Sequence, residues 1–228
     1  MFIANHLYFL SAVYFSFWWI MLFFFNKKGR RAMLLLSFVG LIFGPLVQQM
    51  HLVDWWQPHF IFNTVIKFED LMFGFAVAGT ISSIYTIIRS KFSAPQLKVS
   101  LLLKIILVAA TLFAVFGLFY LFNIHSFWSS LIGFSIPIFA AIISRPGLLL
   151  PMCMTGILIT VIVLPGYLFG IYLKPAWVQN EWLLSSLSGK FFLGVPMEEF
   201  IWFFFAGVGL GAFQELFITS TELHNSSE

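Results

Sequence analysis

Charge is what this chain most lacks: 12 Lys+Arg and 9 Asp+Glu make up 9% of its 228 residues, against about 25% in an ordinary soluble domain. A water-facing surface cannot be covered with so few, which excludes a soluble enzyme. Cysteine is nearly absent as well. Cys153 stands alone inside an apolar run, which excludes a disulfide framework and a Cys-based zinc site. What fills the chain is apolar: 61% hydrophobic and 20% aromatic residues, 31 of them Phe, with a mean hydropathy of +0.97. That composition excludes disorder and low-complexity linkers. A pI near 9.1 would suggest nucleic acid as a partner of a soluble chain, but an excess of three positive charges is better assigned to orientation in a membrane. DNA and RNA are discarded as partners.

The charge-free runs predict seven helices, at about 4–25, 33–50, 63–88, 102–122, 128–144, 148–171 and 191–216. Each is near or above the ~20 residues that cross a ~30 Å hydrocarbon core. The longest run, from Ile105 to Ser144, holds two helices divided by the polar turn Asn123-Ile124-His125-Ser126. The first run has no basic segment ahead of it and no small-residue cleavage site, so it is read as a helix and not a signal peptide. Lys27, Lys28, Arg30, Arg31, Arg89, Lys91, Lys98, Lys104 and Arg145 fall on one side, and only Lys67, Lys174 and Lys190 on the other. The rule that basic loops stay inside then predicts a multi-pass cell-membrane protein with the N-terminus outside and the C-terminus cytoplasmic.

Two acidic dipeptides mark an internal repeat. Phe68-Glu69-Asp70-Leu71-Met72-Phe73 lies 129 residues before Met197-Glu198-Glu199-Phe200-Ile201-Trp202, and both sit early in a helix entering from the outer side. Helices 1–3 and 5–7 then form parallel copies, and helix 4 returns the chain across the membrane. The predicted fold class is an all-α integral membrane protein: a first three-helix module at 1–92, a connector with helix 4 at 93–125, a second module at 126–218 and a cytoplasmic tail at 219–228.

Glu69, Asp70, Glu198 and Glu199 are the informative positions. A carboxylate within a spanning segment costs roughly 2.5–3.5 kcal/mol on insertion scales and usually faces a polar interior with a function. The other reading is that all four sit at the outer interface and complement the positive ends of helices. If helix 7 starts near Phe191, Glu198 lies ~10 Å along it. Phe73 follows Glu69, and Trp202 follows Glu198, by four residues, so each first carboxyl shares a helix face with an aromatic ring. Asp70 and Glu199 have Gly74 and Phe203 in that place. An acid followed by a π face suits a carbocation reaction; ordinary aromatic packing explains the same rings.

The run Gly194-Val195-Pro196-Met197-Glu198-Glu199-Phe200-Ile201-Trp202-Phe203-Phe204 resembles the Pro-x-Glu-Glu-x-x-x-Phe-Phe signature of the lycopene cyclase domain family, membrane-integral carotenoid cyclases. That family's three-helix domain occurs as separate subunits or as a tandem fusion, and the two modules here are similar to the fused form. The first module has Lys67 where Pro196 stands and Asp70 where Glu199 stands. The resemblance implies redox-neutral cyclisation of a lycopene-type end group: protonation of the terminal alkene, ring closure through a tertiary cation and loss of a ring proton. Such chemistry asks for a buried protonated carboxyl and a base. Glu198 is taken as leading acid and Glu69 as second, with Glu199 and Asp70 as base or orienters; Trp202, Phe73, Phe203 and Pro196 are the candidate substrate contacts. The implied partners are a lipophilic polyene from the bilayer, membrane lipid, and other carotenoid enzymes or further copies of the chain.

No metal or cofactor is expected. His6, His51, His59 and His125 lack the spacing of a helical metal site and are read as interfacial. Gly207-Val208-Gly209-Leu210-Gly211 follows no strand and reads as close helix packing, not nucleotide binding. A retinal protein is excluded because helix 7 has no lysine. The competing function is a proton-coupled carrier that uses the same carboxyls as relay groups.

Overall fold

The computed structural model describes residues 6–62, 64–92, 97 and 99–218; Ser93, Lys98 and the expected tail at 219–228 lie outside the described residues. Of the described residues 81% are helical, and among them seven helices are long and apolar enough to cross a membrane. These are α1 (Leu7–Phe25), α2 (Arg30–Asp54), α3 (Phe68–Arg89), α4 (Leu101–Phe122), α5 (Ser126–Ser144), α6 (Leu149–Leu173) and α7 (Met197–Phe217). Apolar residues run all round them, as suits helices that meet lipid on one side and one another on the other. Phe25, Ile143 and Tyr172 are among the large side chains left facing outward.

α3 and α7 form the centre. They bury 61% and 56% of their apolar windows, whereas α4 buries 17% and lies at the periphery against α5. α1 and α2 flank α3, α5 and α6 flank α7, and α3 meets both α6 and α7. Small residues permit this packing. A Cβ on Gly40 of α2 would meet Ala78 of α3 at 2.7 Å and the Gly74 carbonyl closer still, and one on Gly207 of α7 would meet the Gly156 backbone of α6 at 2.7 Å. Without a hydrophobic drive between helices in lipid, such close backbone approach is a main source of their attraction.

Two helix starts differ from the expectation. α3 begins at Phe68 and α7 at Met197, each five or six residues late. Ahead of α7 the apolar run folds into a hairpin, β1 (Phe191–Phe192) with β2 (Val195–Pro196). Its two turn residues, Leu193 at φ 51° and Gly194 at φ 82°, are both left-handed, as a tight hairpin turn requires. Pro196 holds the extended conformation (ψ 138°) next to the helix and stands at its N-cap; Lys67 does the same for α3 (ψ 136°). All four acidic residues therefore lie in the first turn of their helices, where the dipole favours negative charge. The ~10 Å depth expected for Glu198 is corrected to that first turn.

Candidate functional site at the acidic end

First-turn position does not mean solvent contact: Glu69, Asp70, Glu198 and Glu199 are all buried. Neighbours on a helix point ~100° apart, and the two members of each pair find different surroundings. Glu69 accepts a hydrogen bond from the Ile61 backbone N–H at 2.6 Å. Glu198 accepts one from the Ser188 backbone N–H at 2.6 Å. Each first member is thus turned toward the loop that leads into its own helix.

The second members turn inward. Asp70 accepts from the Tyr8 hydroxyl of α1 at 2.8 Å through Oδ1, while its Oδ2 is buried with no hydrogen-bond partner among the described residues. Glu199 is held on both oxygens, by the Tyr167 hydroxyl of α6 at Oε2 and by Trp182 Nε1 at Oε1, 2.7 Å away. Glu69 Oε2 and Glu198 Oε2 are likewise buried without a partner among the described residues; a carboxyl with an unpartnered oxygen has room for a transferable proton, and one that accepts on both oxygens presents itself as an acceptor.

Glu199 lines a partly open cavity whose empty space is about 640 Å³. Eleven of its seventeen lining residues are aromatic, Phe73, Trp202 and Phe203 among them, so a positive charge formed there would meet π faces on several sides. Trp202 and Phe203 meet edge to face at 5.2 Å, and Phe73 stands 6.5 Å from Phe203. A second cavity of about 870 Å³ is lined by Asp70. It shares Tyr8, Gln48, His51, Phe73 and Trp202 with the first, so the two spaces adjoin across those side chains. Phe73 and Trp202, the expected aromatic partners of the first carboxyls, face both cavities, while Glu69, Glu198 and Pro196 line neither.

Loops from both halves of the chain meet at the aromatic cavity. Leu183 N–H donates to the Trp55 carbonyl at 2.8 Å, Gln57 N–H to the Glu181 carbonyl at 2.6 Å, and Trp56 and Trp182 stack at a tilt 5.2 Å apart. Glu181 fastens the cap, accepting from Trp177 Nε1 at 2.9 Å and Lys174 Nζ at 3.2 Å. Asp54 ties the same end together by accepting from the Ser126 backbone N–H at 2.8 Å.

Sequence reasoning missed Tyr8, Tyr167, Trp182 and His51. His51 is buried, its Nε2 3.4 Å from Ser130 Oγ, and it lines both cavities. A signal was available: Trp55, Trp56, Trp177 and Trp182 all fall in connections at the end where both acidic pairs lie, and Trp with a buried N–H needs an acceptor. Among the described residues no three His, Cys, Asp or Glu side chains come together as a metal site.

Residues 125–217 match the family model described as lycopene cyclase. No curated protein and no solved structure matches the chain.

Proposed function

We propose that this membrane protein, whose second half carries a domain of the lycopene cyclase family, cyclises the end group of a linear carotenoid by acid catalysis, with Asp70 as proton donor and Glu199 as proton acceptor. The observation that supports the assignment is the contrast between the two carboxyl residues that line the cavities: Asp70 has one side-chain oxygen without a partner among the described residues, and Glu199 accepts a hydrogen bond on each oxygen in the aromatic cavity next to it. The leading role expected for Glu198 passes to the second member of each pair.

The Asp70 proton adds to the terminal alkene, leaving a tertiary cation. An internal double bond attacks that cation, one C–C bond forms, and the charge moves into the new ring. Phe73, Trp202 and Phe203 stabilise it through their π faces, about 2 kcal/mol for a well-placed desolvated ring. Loss of a ring proton to Glu199 restores a double bond. The substrate gains one proton from Asp70 and loses one to Glu199, so it is isomerised with no oxidant, and the proton left on Glu199 returns to Asp70 before the next turnover. The aromatic lining offers water few hydrogen-bond partners near the cation, which water would otherwise capture as an alcohol.

Glu69 and Glu198 hold the entry loops to their helices and so position Asp70 and Glu199. The excess of basic residues at the opposite end supports an outward acidic end and a cytoplasmic C-terminus. Pigment analysis of lycopene-accumulating cells expressing the chain tests the reading: ring-containing carotenoid should replace the linear pigment. An unchanged pigment profile, with the protein present in the membrane, would overturn it in favour of a proton-coupled carrier.

A further inference from the structure

We propose that the cavity at Asp70 is a groove for the rigid conjugated chain of a linear polyene, and that only the flexible end group turns into the aromatic cavity at Glu199. The inference rests on the cyclase reading above and adds where the rest of the substrate lies.

The groove runs down α2 from His51 to Val39, twelve residues or about 18 Å of helix at 1.5 Å per residue. Its polar groups are gathered at the top: Asp70, Tyr8, Gln48, His51 and Ser130. Below them the wall is apolar and partly built of glycine, at Gly40, Gly44 and Gly74. A long unsaturated hydrocarbon matches such a wall, since it offers no hydrogen bond and needs none.

Access is lateral. Val39, Phe43 and Val47 of α2, Val115 of α4 and Phe134 of α5 are only half-buried, so the groove opens on the flank where lipid would lie. Val115 belongs to a π-helical turn, Phe113–Gly117, within the otherwise regular α4; such turns re-aim side chains and recur at functional places. The path beside α1 and α6 is different in kind. It adjoins the aromatic cavity through Ser11, Tyr14, Gly166 and Trp177, and also descends toward mid-membrane. A stiff conjugated chain cannot pass down one path, bend at the acidic end and return down the other. One path must hold the chain, and the Asp70 groove has the larger apolar wall, drawn from α2, α3, α4, α5 and α7.

Binding of lycopene to the purified protein in phospholipid nanodiscs separates this inference from the reading it rests on. The amount retained and the induced circular dichroism of the polyene's visible band are the readouts, with the unfolding temperature of each variant measured alongside. Val47→Trp should lower retained lycopene by about tenfold or more through steric exclusion, and Val115→Phe, on another helix, should repeat the loss. Val13→Trp, in the α1–α6 path, should leave binding within about twofold, since Val13 lines that path and neither of the two cavities. Loss of binding in Val13→Trp with both groove variants unaffected would overturn the inference, as would equal binding in all three. If the groove variants alone lose lycopene but the parent protein forms no ring, the groove stands and the cyclase reading falls.

Discussion

The two ends of the α3–α7 pair answer their buried charges in opposite ways. At the basic end Arg89 of α3 grips Glu215 of α7 with Nε and Nη2, each at 3.1 Å, and Tyr85 donates to the same carboxylate at 2.9 Å. Beside it Ser82 donates to Gln214, which donates in turn to Thr86, both at 2.8 Å. Glu215 is wholly buried, and both of its oxygens have partners. At the acidic end Asp70 and Glu199 adjoin empty space, and Asp70 keeps an oxygen without a partner. A satisfied network holds helices in register; an unsatisfied carboxyl beside a cavity costs stability and is available for chemistry. The two carboxylate sets differ less in burial than in what faces them.

Substitutions at the two ends should therefore fail differently. The largest loss of activity is expected for Asp70→Asn and Glu199→Gln, which keep shape but remove the transferable proton or its acceptor; each should lower ring formation about 10³-fold, with membrane accumulation near that of the parent. Retention of more than about a tenth of the rate in either would erase the functional side of the comparison. Arg89→Leu should do the reverse, destabilising the protein by about 3 kcal/mol because it leaves Glu215 buried without its cation. Thermal unfolding in detergent is the check, and the folded fraction should still form rings. Glu198→Gln is expected to be mild, within about threefold in rate, since a Gln side-chain oxygen can still accept from the Ser188 N–H. Loss as severe as that of Glu199→Gln would return the leading role to Glu198.

A labelling experiment sharpens the comparison without changing either network. With Cys153→Ser as background, Gly147→Cys and Ser185→Cys place single thiols in exposed connections at the basic and acidic ends. A membrane-impermeant reagent added to intact cells should modify the second and spare the first. The opposite pattern would invert the proposed orientation.

Helix number and approximate spans were legible because charge-free runs of bilayer length have few alternatives. The start of α7 was not. Phe191-Phe192-Leu193 is as apolar as the helix that follows, and nothing in its hydropathy separates a strand from a helix. The left-handed pair at Leu193 and Gly194, with Pro196 after them, makes the hairpin. The aromatic cap was hidden for another reason: Trp55 and Trp182 are 127 residues apart, and only the folded chain brings them to one cavity.

The sequence by itself determined that this is a membrane protein of seven spans with two acidic pairs at one end, because transfer free energies depend on residue type and run length. Only the tertiary structure decided which member of each pair faces the cavities. Adjacent residues differ by ~100° around a helix, and a linear pattern cannot say which direction meets a neighbour. The Ile61 and Ser188 N–H groups capture Glu69 and Glu198, while the Tyr8 and Tyr167 hydroxyls meet Asp70 and Glu199. Those partners come from loops and helices placed by packing, so the chemistry of each carboxyl is set by contacts distant in the chain.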